Sequence, residues 1–264
     1  MNAPIATTTR MPVMFIGHGS PLTAFEDNHF THGWAALANA IPKPRAVLCI
    51  SAHWYTRGSA VTAMLQPRTI HDFHGFPDAL YQFHYPAPGD PLLVQRVSDL
   101  LSPVAVNQDQ QWGFDHGAWA VLKHMYPCAD VPIIQLSIDG TRDAQWHYDL
   151  GKRLAPLRDE GVLILGSGNV VHNLQLLHFA EPTAALPWAQ QFNQYVRASL
   201  EAHDYHALVN YQQQRESAAL SVPTSEHYDP LLYVLGASAA TEPVSIVLDE
   251  IVLGSISMLS VKIG

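Results

Sequence analysis

Cysteine is almost missing from this chain: Cys49 and Cys128 are the only two among 264 residues. That count excludes a disulfide framework and a Cys-rich structural zinc site, and it suits a reducing, cytoplasmic setting. Positive charge is scarce as well. Fourteen Lys and Arg against 23 Asp and Glu give a net charge of −9 with no basic cluster, so no nucleic-acid partner is expected. The apolar runs fall far short of the roughly 20 residues that cross a bilayer, so no membrane partner is expected either. The opening stretch lacks the apolar segment of a signal peptide and reads as a flexible tail, residues 1–10, ahead of one domain over residues 11–264. Nucleotide loops are missing too. Gly17-x-Gly19 and Gly166-x-Gly168 begin like a dinucleotide fingerprint but lack its third glycine, and no Gly-x4-Gly-Lys-Ser/Thr stretch occurs.

What the chain has in excess is histidine. Its fifteen histidines outnumber Lys and Arg together and are dispersed, so they do not form a tag. With 48% hydrophobic and only 14% charged residues, the rest of the composition describes a folded globule with a large core.

Short apolar runs alternate with amphipathic ones. Met11–Gly17, Arg45–Ser51 and Gly161–Gly166 read as buried strands, continuous in apolarity as a doubly covered sheet requires. Further strands are expected at 60–65, 104–106, 131–137, 244–248 and 255–263. Helices are expected at 28–40, 91–101, from about Asp115 through Tyr126, and at 141–158, 187–203, 206–213 and 231–237. Cys49 falls inside a strand pattern and reads as a small buried hydrophobe. Residues 66–89 carry Phe73, Phe76, Tyr81, Phe83 and Tyr85 with His71, His74 and His84. So long a connection suits either a lid or a loop pinned by its own aromatics. The fold class is therefore α/β: a single domain with a central, mostly parallel or mixed sheet, helices on both faces, and a site at the strand C-terminal ends.

Three histidines share one position in this pattern. His18, His53 and His172 each follow the C-terminal end of a buried strand by one to six residues, so one sheet edge gathers all three. Imidazole suits iron, zinc, copper and nickel, and open sites commonly use three protein ligands. Glu226-His227 is the fourth segment. Glu226 would complete a two-His-one-carboxylate face and His227 an all-histidine face; spacing leaves both open. His116 sits in a tight turn between Asp115 and Gly117, where Asp115 is placed to cap the next helix, and it suits proton transfer. His203 and His206 share a helical spacing but lie in a polar segment and read as solvated.

Five motifs occur in order: Gly17-His18-Gly19-Ser20-Pro21, Ser51-Ala52-His53-Trp54, Phe114-Asp115-His116-Gly117, Gly168-Asn169-Val170-Val171-His172-Asn173 and Glu226-His227-Tyr228. Together they resemble the class III extradiol ring-cleavage dioxygenases, in particular the 4,5-DOPA dioxygenase branch, from Met11 to Gly264. The resemblance implies a catalytic domain in which a catechol and O2 meet at one divalent metal. It implies His18 and His53 as ligands with one residue of the Glu226-His227 pair. In the wider class the third ligand is a glutamate and the metal iron(II). In this branch the position looks like histidine, which favours His227 and makes zinc(II) an alternative occupant. His172 matches the active-site base and His116 a second acid/base histidine. The same ligands would also serve a zinc hydrolase, or a metal-binding protein without activity.

Overall fold

The structure, a computed structural model, describes residues 10–264; the expected tail lies outside the described residues apart from Arg10, which pairs with Asp159 at 2.6 Å. Six strands form the main sheet: β1 (Val13–Gly17), β2 (Ala46–Ser51), β3 (Ile133–Gln135), β4 (Val162–Gly168), β5 (Val244–Leu248) and β6 (Ser260–Ile263). Their order is β5-β6-β1-β4-β2-β3. The run β1-β4-β2-β3 is parallel throughout, while β6 lies antiparallel to β1 and to β5. The sheet is mixed, with its parallel part in the middle.

The apolar runs of β1, β2 and β4 are continuous because both faces are covered. Alternate residues point to opposite cores. Val13, Phe15, Leu48, Ile50, Val162 and Ile164 join one core. Met14, Ile16, Val47, Cys49, Leu163 and Leu165 join the other. Helices α1 (His29–Asn39) and α3 (His116–Met125) cover the second face through Trp34, Leu37, Trp119 and Leu122. Helices α2 (Pro91–Leu101), α4 (Ala144–Leu154), α5 (Pro187–Glu201) and α6 (Asp229–Ala237) cover the first through Leu93, Leu154, Phe192 and Leu231.

Several elements are shorter than the periodicity predicts. The expected 141–158 helix is regular only over Ala144–Leu154 and tightens into a 3-10 turn at Ala155–Glu160, where Pro156 has no N–H to donate. The 206–213 stretch divides between a short helix at Tyr205–Val209 and a 3-10 turn at Tyr211–Gln214. The last strand breaks in two. Ile256–Ser257 pairs with Ile251–Val252, and only Ser260–Ile263 reaches the main sheet. The segment expected at 60–65 forms Ser59–Thr62, outside the main sheet and paired in parallel with Val106–Asp109. A further small pairing joins Arg68–Thr69 to Gly113–Phe114 and ties the start of the long aromatic loop to the turn before α3.

Candidate metal centre and active site

β1, β2 and β4 are mutually parallel neighbours, so their C-terminal ends share one edge, and His18, His53 and His172 emerge there. His18 directly follows β1. The glycines beside it serve space more than a left-handed turn, since neither has a positive φ. A Cβ on Gly17 would lie 2.5 Å from the Met258 carbonyl carbon. His116 is the first residue of α3, and Asp115 caps that helix by accepting from the Ala118 N–H. Asp115 is itself fully buried. It also accepts from Ser51 Oγ at 2.6 Å and from the Gln135 amide at 2.8 Å. His227 stands two residues before α6. Asn169 locks it to β1: the Asn169 N–H donates to the His227 carbonyl, and its side-chain amide donates to the His18 carbonyl, both at 2.8 Å.

Five of the expected residues converge in one cluster. The ring centroids of His18 lie 5.1 Å from His53, 5.4 Å from His227 and 5.8 Å from His116. His172 stacks flat on His227 at 3.5 Å, and His53 lies 3.8 Å from His116. One ring nitrogen from each of His18, His53 and His227 lies within 4.8 Å of the others.

Hydrogen bonds fix which nitrogens point inward. Ser167 gives its single proton to the Gly117 carbonyl at 2.5 Å, so its oxygen accepts from His18 Nδ1 at 3.0 Å. His53 Nδ1 lies 3.1 Å from Asp72 and His227 Nδ1 3.3 Å from Glu226, both acceptors. Each ring therefore turns an Nε2 lone pair inward. His18 Nε2 and His53 Nε2 face each other at 3.1 Å, and His227 Nε2 is buried with no partner. Two nitrogens bound about 2.0–2.1 Å from one cation, at angles between a right angle and a tetrahedral one, lie roughly 2.9–3.4 Å apart. The donor set fits a divalent metal.

Burial sets the charge state. It pushes His18 and His227 well below the ordinary histidine value, and the neighbouring imidazoles add to the effect. His172 is pushed down to about 4 by burial and by the charge of His53. Burial also lowers His116, against the opposing bond to Asp72. His53 alone ends above its usual value: burial lowers it, but the Asp72 bond and the charges of Asp115, Asp72 and Glu226 outweigh that. At neutral pH His18, His116, His172 and His227 are thus uncharged imidazoles, the form that binds metals and accepts protons, while His53 holds its proton longest and releases it on binding a metal.

Asp72 is the site residue that sequence reasoning missed. It lies in the long loop between two histidines and carries no motif. The pairing of Arg68–Thr69 with Gly113–Phe114 brings it beside His116. Phe73, next to it, packs on the His116 ring at 5.9 Å and on Trp119 at 6.2 Å, so the loop also supplies an apolar wall. His71 and His84 stay within that loop, and His71 bonds the Phe83 carbonyl.

A doubly covered parallel sheet with convergent imidazoles at its C-terminal edge defines an α/β enzyme with a metal centre. The chain belongs to the family described as the catalytic LigB subunit of aromatic ring-opening dioxygenase, which matches residues 8–253. It is an extradiol dioxygenase, a metal-dependent oxidoreductase that acts on a small aromatic substrate with O2. Among its relatives, the 4,5-DOPA dioxygenase extradiol of Escherichia coli K12 is 53% identical, over 98% of this chain and 97% of that one. The protein of the same description from Beta vulgaris is 41% identical over 85% of each chain. The crystal structure of an uncharacterized Escherichia coli K12 protein superposes with a TM-score of 0.85 at 49% identity, covering 97% of this chain and all of that one. Among the described residues no helix is long and apolar enough to cross a membrane.

Proposed function

We propose that this chain opens the ring of a catechol, DOPA-like in its substitution, by 4,5-cleavage to a semialdehyde. Its site would hold iron(II) through Nε2 of His18, His53 and His227, with zinc(II) as an alternative occupant, in a cytoplasmic setting. The observation that carries this reading is the trio of inward Nε2 lone pairs, each fixed by an acceptor behind its ring. Glu226 is then the support of His227 and not the third ligand.

A divalent metal bound there supplies Lewis acidity toward a catechol hydroxyl, and iron(II) adds the redox activity toward O2 that zinc lacks. The remaining work belongs to the chain. His172, neutral at physiological pH because burial holds it down to about 4, accepts the second hydroxyl proton. It is stacked on His227, so that proton is taken up beside the proposed ligand set. His116 keeps its Nδ1 proton on Asp72 and exchanges protons through Nε2. Phe73, packed on the His116 ring and backed by Trp119, supplies an apolar wall on the loop side, suited to an aromatic ring and to excluding water.

The test is oxygen uptake with a panel of catechols by protein loaded with iron(II), and in parallel with zinc(II). The iron form is expected to consume O2 and give a yellow ring-opened product, while the zinc form binds catechol and leaves O2 untouched. Oxygen uptake by iron-free zinc protein overturns the iron assignment. Product formed without oxygen overturns ring cleavage.

A further inference from the structure

We propose that Asp72 is a positioning residue: one carboxylate, delivered by the aromatic loop, clamps His53 and His116 together in their Nδ1–H tautomers. The inference rests on the metal and acid/base roles given above for those two histidines.

The geometry is that of a shared acceptor. Asp72 Oδ2 receives Nδ1 of His116 at 2.9 Å and Nδ1 of His53 at 3.1 Å. Its other oxygen receives the backbone N–H of His116 at 2.9 Å. Three donors on one carboxylate set both the ring tautomers and the start of α3. The two imidazoles are in close tilted contact, with centroids 3.8 Å apart and planes at 52°, so neither can rotate without disturbing the other. Asp72 itself is only 14% exposed. It reaches this place because Ile70, two residues earlier, donates its N–H to the Phe114 carbonyl at 2.7 Å.

The chemistry follows from the donor count. With Nδ1–H held by a carboxylate, His53 directs a basic Nε2 at the metal position. His116 is left with Nε2 as its exchangeable atom. The loop that walls the site therefore also fixes its chemistry.

An Asp72→Asn substitution cannot satisfy all three donors. If the amide oxygen keeps the two rings, the NH2 group faces the His116 N–H, donor against donor. If the amide flips, both rings face NH2, and His53 moves its proton to Nε2, the nitrogen that would bind the metal. Asp72→Asn is expected to lose roughly 10- to 100-fold in iron(II) affinity and, at saturating iron, roughly 10- to 100-fold in kcat, with KM for catechol within about threefold. Tyr81→Phe, in the same loop, should leave all three unchanged.

The wild-type protein gives an independent readout. In the zinc-loaded form, ring-15N NMR should find His53 and His116 both protonated at Nδ1. Either ring protonated at Nε2 overturns the proposal, whatever the variant does. So does a folded Asp72→Asn whose metal affinity or metal-saturated kcat stays within threefold of wild type. The NMR outcome does not depend on turnover. If the iron form fails to cleave any catechol while both rings carry Nδ1–H, the functional reading fails and the clamp stands.

Discussion

Gly117 is the second residue of α3, and the structure leaves it no room for a side chain. A Cβ there would lie 2.6 Å from Ser51 Oγ, 2.8 Å from His53 Cδ2 and 3.2 Å from His18 Cε1. Carbon contacts settle at about 3.5 Å or more, so Gly117→Ala demands shifts of about 0.7 Å at His53 and about 0.3 Å at His18. The helix cannot retreat, because Ala118, Trp119, Val121 and Leu122 are fully buried at 0% exposure. The rings must move. A displacement of 1 Å at a reacting centre costs about 100-fold, so a loss on the order of 10- to 100-fold in kcat/KM is expected, with weaker metal binding. Stability should fall by on the order of 1 kcal/mol, since overpacking costs about 1–3 kcal/mol and alanine's helix preference of at most about 1 kcal/mol offsets only part of it. Oxygen uptake by the iron-loaded variant measures the first effect, and urea unfolding the second. A Gly117→Ala enzyme within threefold of wild type would refute the claim that this close approach sets the ligand geometry.

Two further outcomes are expected. His172→Gln should keep its metal, because the three inward nitrogens are untouched, and lose roughly 100- to 10,000-fold in kcat; loss of metal in step with activity would make His172 a ligand instead. Arg158 is 1% exposed and donates to Glu242 at 2.6 and 2.7 Å and to the Met11 and Ala237 carbonyls. Glu242→Ala strands that guanidinium and should cost about 3 kcal/mol by urea unfolding at neutral pH. Burial raises Glu242, but the Arg158 bond brings it below its usual value of 4.5. The folded value lies under the unfolded one, so this stabilisation is present above the unfolded range and is lost as pH falls through the folded value. The gap between wild type and variant should narrow in acid, and a gap constant down to pH 3 counts against the pair.

The central strands and their flanking helices were legible because their pattern is local. The apolar runs of β1, β2 and β4 need no long-range knowledge to read as buried, and one rule about strand ends gathers His18, His53 and His172. The five motifs resemble one family, and the match over residues 8–253 agrees. Spacing left Glu226 and His227 as equal alternatives and only the family resemblance favoured His227, because adjacent residues in a loop point in directions that packing decides. In the fold, the Asn169 N–H holds the His227 carbonyl, and Glu226 takes its place behind the His227 ring. Asp72 had no signal at all. A lone aspartate in a long loop acquires its partners through the register of Arg68–Thr69 against Gly113–Phe114. Local pattern determined the sheet, its covered faces and most of the histidines. Tertiary packing decided which nitrogen of each ring looks inward and which carboxylate stands behind it, because those depend on atoms far apart in the chain.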